Sequence, residues 1–262
     1  MNIIYKIKLL KLQKWENYLD YMEHLDLKNA VPLEVCDNEA ILETTQDKLF
    51  TPMELHYELN NKYSLLKIAG EGDALSKACN FMLWLSDHTW YSGASIGWNP
   101  DNSLKILEYS YDLDFKKALC CRERAIVLAD LLIAVGCKAY PICMKSAKNM
   151  AAHFTVHVFD ETTKKWILID PSFNVIFKVE NNFVNAHELR QALVEGKNFE
   201  CHGYSFNHTK KCLDIYKELF IKQCMSNLST WNDCSMEKRY LGRKYDWKIK
   251  KEFKTKLYID FL

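Results

Sequence analysis

The chain has 262 residues, with 35 Lys and Arg against 34 Asp and Glu and a formal charge of +1. Apolar residues make up 48% and aromatics 13%, enough for a sizeable core in one domain with additions or in two small ones, while Gly (8) and Pro (5) are too scarce for a collagen-like or low-complexity chain. Near-neutral charge argues against a dedicated nucleic-acid binder, whose domain is usually strongly basic.

The N-terminus, Met1 to Leu19, mixes Lys with apolar residues and has no uninterrupted apolar run, so no secretion signal is expected and the cytoplasm is the expected compartment. The most apolar run, Ala125 to Val135, is far short of the ~20 residues a membrane helix needs, so no membrane association is expected. Residues 1–27 place Ile4, Ile7, Leu10, Trp15, Tyr18, Met22 and Leu25 near helical spacing, and residues 1–50 read as a helical extension. Residues 52–69 and 73–88 predict two more helices, parted by Gly70 and Gly72. Tyr91 to Asn102 is rich in Ser, Gly and Asn and contains Pro100, which predicts a loop.

A helix from about Leu119 to Val135 follows, stopped by Gly136. It is apolar almost all round after Arg124 and should be buried on most sides. Three strand-like segments come next, at 137–145, 152–160 and 165–170. Pro141 suggests that the first lies at a sheet edge, and Pro171 closes the third. In the second, Ala152, Phe154, Val156 and Val158 alternate with His153, Thr155, His157 and Phe159, giving one apolar face and one carrying polar groups. Residues 186–195 and 209–227 predict helices. Residues 231–262 form a basic C-terminal segment, with nine Lys and Arg against four Asp and Glu from Ser235 onward.

Ten cysteines are present, none in a Cys-x-x-Cys pair, so the usual zinc-ribbon and thioredoxin spacings are absent. A reactive cysteine needs a stabilised thiolate and a base beside it. Cys120 and Cys121 stand at the start of the buried helix, where the helix dipole favours negative charge. A strand can hold His153 rigidly on its polar face, and Asp170 on the next strand can fix the imidazole tautomer. His157 repeats two residues on and is the alternative base. Trp166 reads as core, and Trp84, Trp90 and Trp98 read as packing aromatics that could also line a groove.

The segment from Cys121 through Ala125 and Gly136 to Tyr140 resembles the nucleophile helix of the transglutaminase-like superfamily of bacterial papain-like thiol enzymes. In that family the nucleophilic Cys is followed by Ala four residues on and Gly fifteen on; counting from Cys121 meets both, and counting from Cys120 misses both. His153 to Phe159 looks like the family's histidine strand, and Trp166 to Pro171 like its Trp-x-x-x-Asp-Pro strand. The likeness extends over about residues 55–195, with weaker matches around Trp84 and at Glu188, Leu189 and Arg190. Leu119 stands where the family often has Gly, and Thr155 where it often has an aromatic residue.

The resemblance implies an α+β fold, with a cysteine-bearing helix packed on an antiparallel sheet, in a catalytic domain over 51–230. It implies a Cys121, His153, Asp170 triad acting through an acyl-enzyme on an amide or thioester. Transfer to an amine would form an amide bond; transfer to water would make the protein a protease or amidase. No cofactor or metal is implied, since no calcium-type acidic cluster is apparent. Lys238, Arg239, Arg243, Lys244, Lys248, Lys250 and Lys251 could receive an acidic protein that carries the acyl group. The contrasting expectation is a binding domain with an idle triad. A catalytic Cys121 is expected to alkylate faster than the other thiols in mildly acidic buffer.

Overall fold

The computed structural model describes residues 53–89, 91, 102–111, 117–145, 152–203 and 227–230. The helical reading of 1–50, most of the 91–102 loop, all but the last residue of the helix expected over 209–227 and the basic segment 231–262 lie outside the described residues, and that last residue, Asn227, is in a strand. The fold is α+β: a group of helices covers one face of an antiparallel sheet. Among the described residues no helix is long and apolar enough to cross a membrane.

The stretch expected as one helix over 52–69 is two, α1 (Met53–Tyr63) and α2 (Leu65–Ala69). Ser64 between them takes a left-handed φ of 55° and breaks the run. Gly70 and Gly72, at φ 68° and 123°, make the turn into α3 (Ala74–His88). Asp73 caps α3 by accepting from the Ser76 N–H at 2.7 Å, as a carboxylate at an N-cap should. A short α4 (Ser103–Ser110), capped by Asn102, was not evident in the sequence.

Helix α5 (Cys121–Ala134) is the centre of the helical layer. Every residue from Glu123 to Leu132 is buried, as its all-round apolar pattern predicts. Its one acidic residue past the first turn, Asp130, is reached by the Ser103 hydroxyl of α4, which satisfies a carboxylate that burial would otherwise penalise. The helix ends where Gly136 takes φ 82°. The Cys137 N–H then bonds the Leu132 carbonyl and the Gly136 N–H bonds that of Ile133, both at 2.9 Å, closing a Schellman turn.

The sheet runs β5 (Asn182–Phe183), β4 (Val175–Val179), β3 (Lys165–Asp170), β2 (Ala152–Asp160), β1 (Ala139–Lys145) and β7 (Asn227–Thr230), with β6 (Phe199–Gly203) also paired to β4. Pro141 therefore does not mark an edge strand. It pairs with Val156 of β2, while β7 joins the other side of β1 only at Ile142, Cys143 and Met144, one residue past the missing N–H. Strands β4 to β7 extend the sheet beyond the three expected. The β4–β5 turn places Glu180 and Asn181 at φ 49° and 65°, the paired left-handed geometry of a two-residue hairpin.

The period of two is obeyed, but both faces of the sheet are buried. Ala139, Val156, Val158, Ile167, Ile169 and Ile176 pack under the helices. On the opposite face Tyr140, Trp166, Leu168, Phe177 and their neighbours pack with Leu189 and Ala192 of α6 (Ala186–Val194). The expected polar face thus lies inside a second core, where His153, Thr155 and His157 are all buried.

Gly136→Ala isolates the backbone term at the end of α5, because an added Cβ would meet nothing within 4 Å. The left-handed φ alone should then cost about 1–2 kcal/mol of stability. Urea denaturation measures it; a loss of only a few tenths would mean that the turn relaxes to another geometry.

Candidate active site

Cys120 is the N-cap of α5, in extended backbone, and its N–H donates to Glu123 Oε2 at 2.8 Å. Cys121 opens the helix and stays partly exposed, while Cys120 is 7% exposed. The Phe154 N–H of β2 bonds the Cys121 sulfur and favours its thiolate. That help is outweighed. The Cys120 side chain hydrogen-bonds Cys121, burial disfavours charge, and Asp170 is close enough to repel, so together they hold the thiol well above its ordinary pKa. The expectation that the helix start would hold a ready thiolate is thereby reversed for the resting site.

Phe154 follows His153 on β2, so the contact to the sulfur is made at the strand position next to the histidine. His153 Nε2 lies 2.5 Å from Asp170 Oδ2, with both side chains 0% exposed. An ionised carboxylate only accepts, so Nε2 carries the proton and Nδ1 is the ring nitrogen that can take one up. The second Asp170 oxygen accepts from the Ser172 N–H at 2.7 Å, which fixes the carboxylate in the turn after β3. The structure thus brings Cys121, His153 and Asp170 into one neighbourhood.

Two residues of this neighbourhood escaped the sequence reading. Arg124, buried one turn into α5, donates to the Pro171 carbonyl at 3.0 Å and to the Thr89 carbonyl at 2.8 Å. It ties α5 to the Asp170 turn and to the end of α3. Burial lowers its pKa to about 10, so it stays charged at neutral pH. Its guanidinium lies 5.6 Å from the centroid of Tyr91, the second residue missed. The signal for Arg124 was present, since a lone guanidinium entering an apolar helix must find internal acceptors. Tyr91, at the mouth of a polar loop, carried none.

His157 is no alternative base. Its Nε2 accepts from the Ala186 N–H at 2.9 Å, so Nδ1 holds the proton and donates to the Tyr140 hydroxyl at 2.8 Å. Burial, and to a smaller degree His187, push its pKa well below the ordinary histidine value. Trp166 is core, edge-on to Tyr140 at 4.6 Å. Trp84 packs against Tyr63 and His88, and Trp90 and Trp98 lie outside the described residues. A separate cleft of about 520 Å³ lies along α6, lined by Phe183, His187 and Glu188 among others and by none of Cys121, His153 and Asp170. Comparison with protein-family models, curated proteins and solved structures finds no match to this chain.

Two pH dependences follow. With its pKa raised, Cys121 is a neutral thiol through neutral pH, and its thiolate fraction grows as pH rises. Iodoacetamide should therefore label it more slowly at pH 7 than it labels free cysteine, with the rate still climbing in the alkaline range; a plateau below pH 7 would contradict this. On the acid side, His157 is depressed and His187 is lowered to about 4 by burial and by Arg190, against an unfolded value of 6.5. The unfolded chain then binds protons that the folded chain refuses, so stability is full above about pH 6.5 and falls as pH drops toward 4. Urea titrations across that range should show the decline, and His187→Gln should make it shallower.

Proposed function

We propose that this chain is a thiol acyltransferase or amidohydrolase with a transglutaminase-like core. The observation that supports the reading is the fully buried 2.5 Å pair of Asp170 on β3 with His153 on β2, the strand whose Phe154 N–H bonds the Cys121 sulfur. In this reading His153 Nδ1 removes the thiol proton as the sulfur attacks an amide or thioester carbonyl. A raised resting pKa suits such coupled transfer, because the nucleophile is made at the moment of attack. The imidazolium then gives its proton to the leaving group, and Asp170 stabilises the charge formed on the ring. The acyl group on Cys121 passes to an amine, making an amide, or to water. An acidic protein carrying the acyl group would meet Lys238 to Lys251 by charge.

A binding domain with an idle triad is the second reading, and it is favoured by the crowding of the Cys121 sulfur by Cys120, burial and Asp170, which raises its pKa. Trapping separates the two: an acyl donor that adds its acyl mass to Cys121 supports the enzyme, and alkylation without acylation supports the binding domain.

Cys121→Ala should abolish turnover and leave the fold intact, since the change at a partly exposed helix start removes little packing. Cys120→Ala should keep substantial activity; the opposite pattern would move the nucleophile to Cys120. Asp170→Asn should stay folded and lose about 10²–10⁴-fold in kcat, because the amide cannot hold the required tautomer. Unchanged kinetics in that variant would mean that another group orients His153.

A further inference from the structure

We infer that Tyr91 is a catalytic residue of this site, its phenol donating a hydrogen bond to the substrate carbonyl oxygen as attack by Cys121 turns that oxygen into an oxyanion. The inference rests on the acyl-transfer reading of Cys121, His153 and Asp170.

The backbone places Tyr91 there. It forms a parallel bridge with Leu119, two residues before the nucleophile. Its ring stands edge-on to Phe173 at 5.6 Å, and the Phe173 ring is 6.0 Å from that of His153. On its other flank is the Arg124 guanidinium, fixed by Thr89 and Pro171. The ring is thus held between the first turn of α5 and the turn that carries Asp170. Tyr91 is also within electrostatic reach of Cys121 and Asp170, which together with burial raise its pKa.

Among the described residues, several donors near the sulfur are already engaged. The Cys120 N–H is bound to Glu123, the Phe154 N–H to the sulfur itself, and the terminal nitrogens of Arg124 to Thr89 and Pro171. The Cys121 N–H, at the first position of a helix, points out of the ladder and supplies one oxyanion donor. Tyr91 supplies the second. Burial and the nearby sulfur and carboxylate push its pKa well above the ordinary tyrosine value, so the phenol keeps its proton at working pH.

The step balances without a co-reactant. The sulfur lone pair forms a C–S bond, and the carbonyl π pair moves onto oxygen, where the Tyr91 O–H and the Cys121 N–H bind it. Collapse returns that pair to the C=O bond, breaks the bond to the leaving group, and leaves a thioester on Cys121.

The test compares two reactions of the same sulfur in the full chain and in Tyr91→Phe, which keeps the ring and its contacts. Acetylation by p-nitrophenyl acetate passes through an oxyanion; alkylation by iodoacetamide does not. In Tyr91→Phe the p-nitrophenolate burst should slow by about 10²–10³-fold, while the alkylation rate stays within about threefold of the parent. An unchanged burst overturns the inference. An equal fall in both reactions also overturns it, because the hydroxyl would then act on the thiol. A parent chain that alkylates at Cys121 and gives no burst overturns the acyl-transfer reading, and the role of Tyr91 falls with it.

Discussion

Strands β2 and β3 have no wet face. Helix α5 covers one side and the aromatic layer under α6 covers the other, so a polar side chain there is costly unless it finds a partner inside the protein; the charged and imidazole groups do, while Thr155 Oγ1 and Trp166 Nε1 find none among the described residues. That constraint arranges the site. His157 is satisfied by Tyr140 and the first amide of α6, and is spent on structure. His153 is satisfied by Asp170, and Asp170 in turn by the backbone after β3. Arg124 enters the same dry region from the helix and is answered by two backbone carbonyls. Water would have screened each of these interactions; its exclusion makes each of them directional.

The two neighbouring histidines show how dry surroundings divide labour. They stand two residues apart on one face of one strand, are both buried, and differ only in what meets the ring. A backbone amide can only donate, so it forces Nε2 of His157 to be an acceptor. A carboxylate only accepts, so it forces Nε2 of His153 to be a donor. The tautomers are therefore opposite, and only His153 turns a basic nitrogen away from its anchor.

Much of this was legible in the sequence, and the limits are physical. The all-round apolar run from Ala125 and the glycine after it define α5, because burial and a left-handed stop each demand particular residue types. The alternation over β2 gives the strand and its register of faces. Alternation cannot say whether the polar face meets water or a second core, and it cannot separate His153 from His157, since that difference lies in the distant Asp170 and Ala186. The β4–β5 hairpin was hidden because its turn uses Glu180 and Asn181 in place of the usual Gly-containing pair. β6 does alternate, with Phe199 and Cys201 inward and Glu200 and His202 outward, but five residues are too short a run to stand out. Cys121 was marked by its spacing, but its protonation was not, because it depends on which groups crowd the sulfur in three dimensions.

The junction of β1 and β7 bears on how this protein avoids sticking to itself. An uncovered strand of apolar residues invites pairing with another chain. β1 is such a strand, and β7 occupies its free side over Ile142 to Met144. Next to that patch Pro141 offers no N–H to an incoming strand. A chain ending before Asn227 would keep His153, Asp170 and α5 in its sequence and would bare three ladder positions of β1. The four residues of β7 thus close that edge of β1 where Pro141 does not.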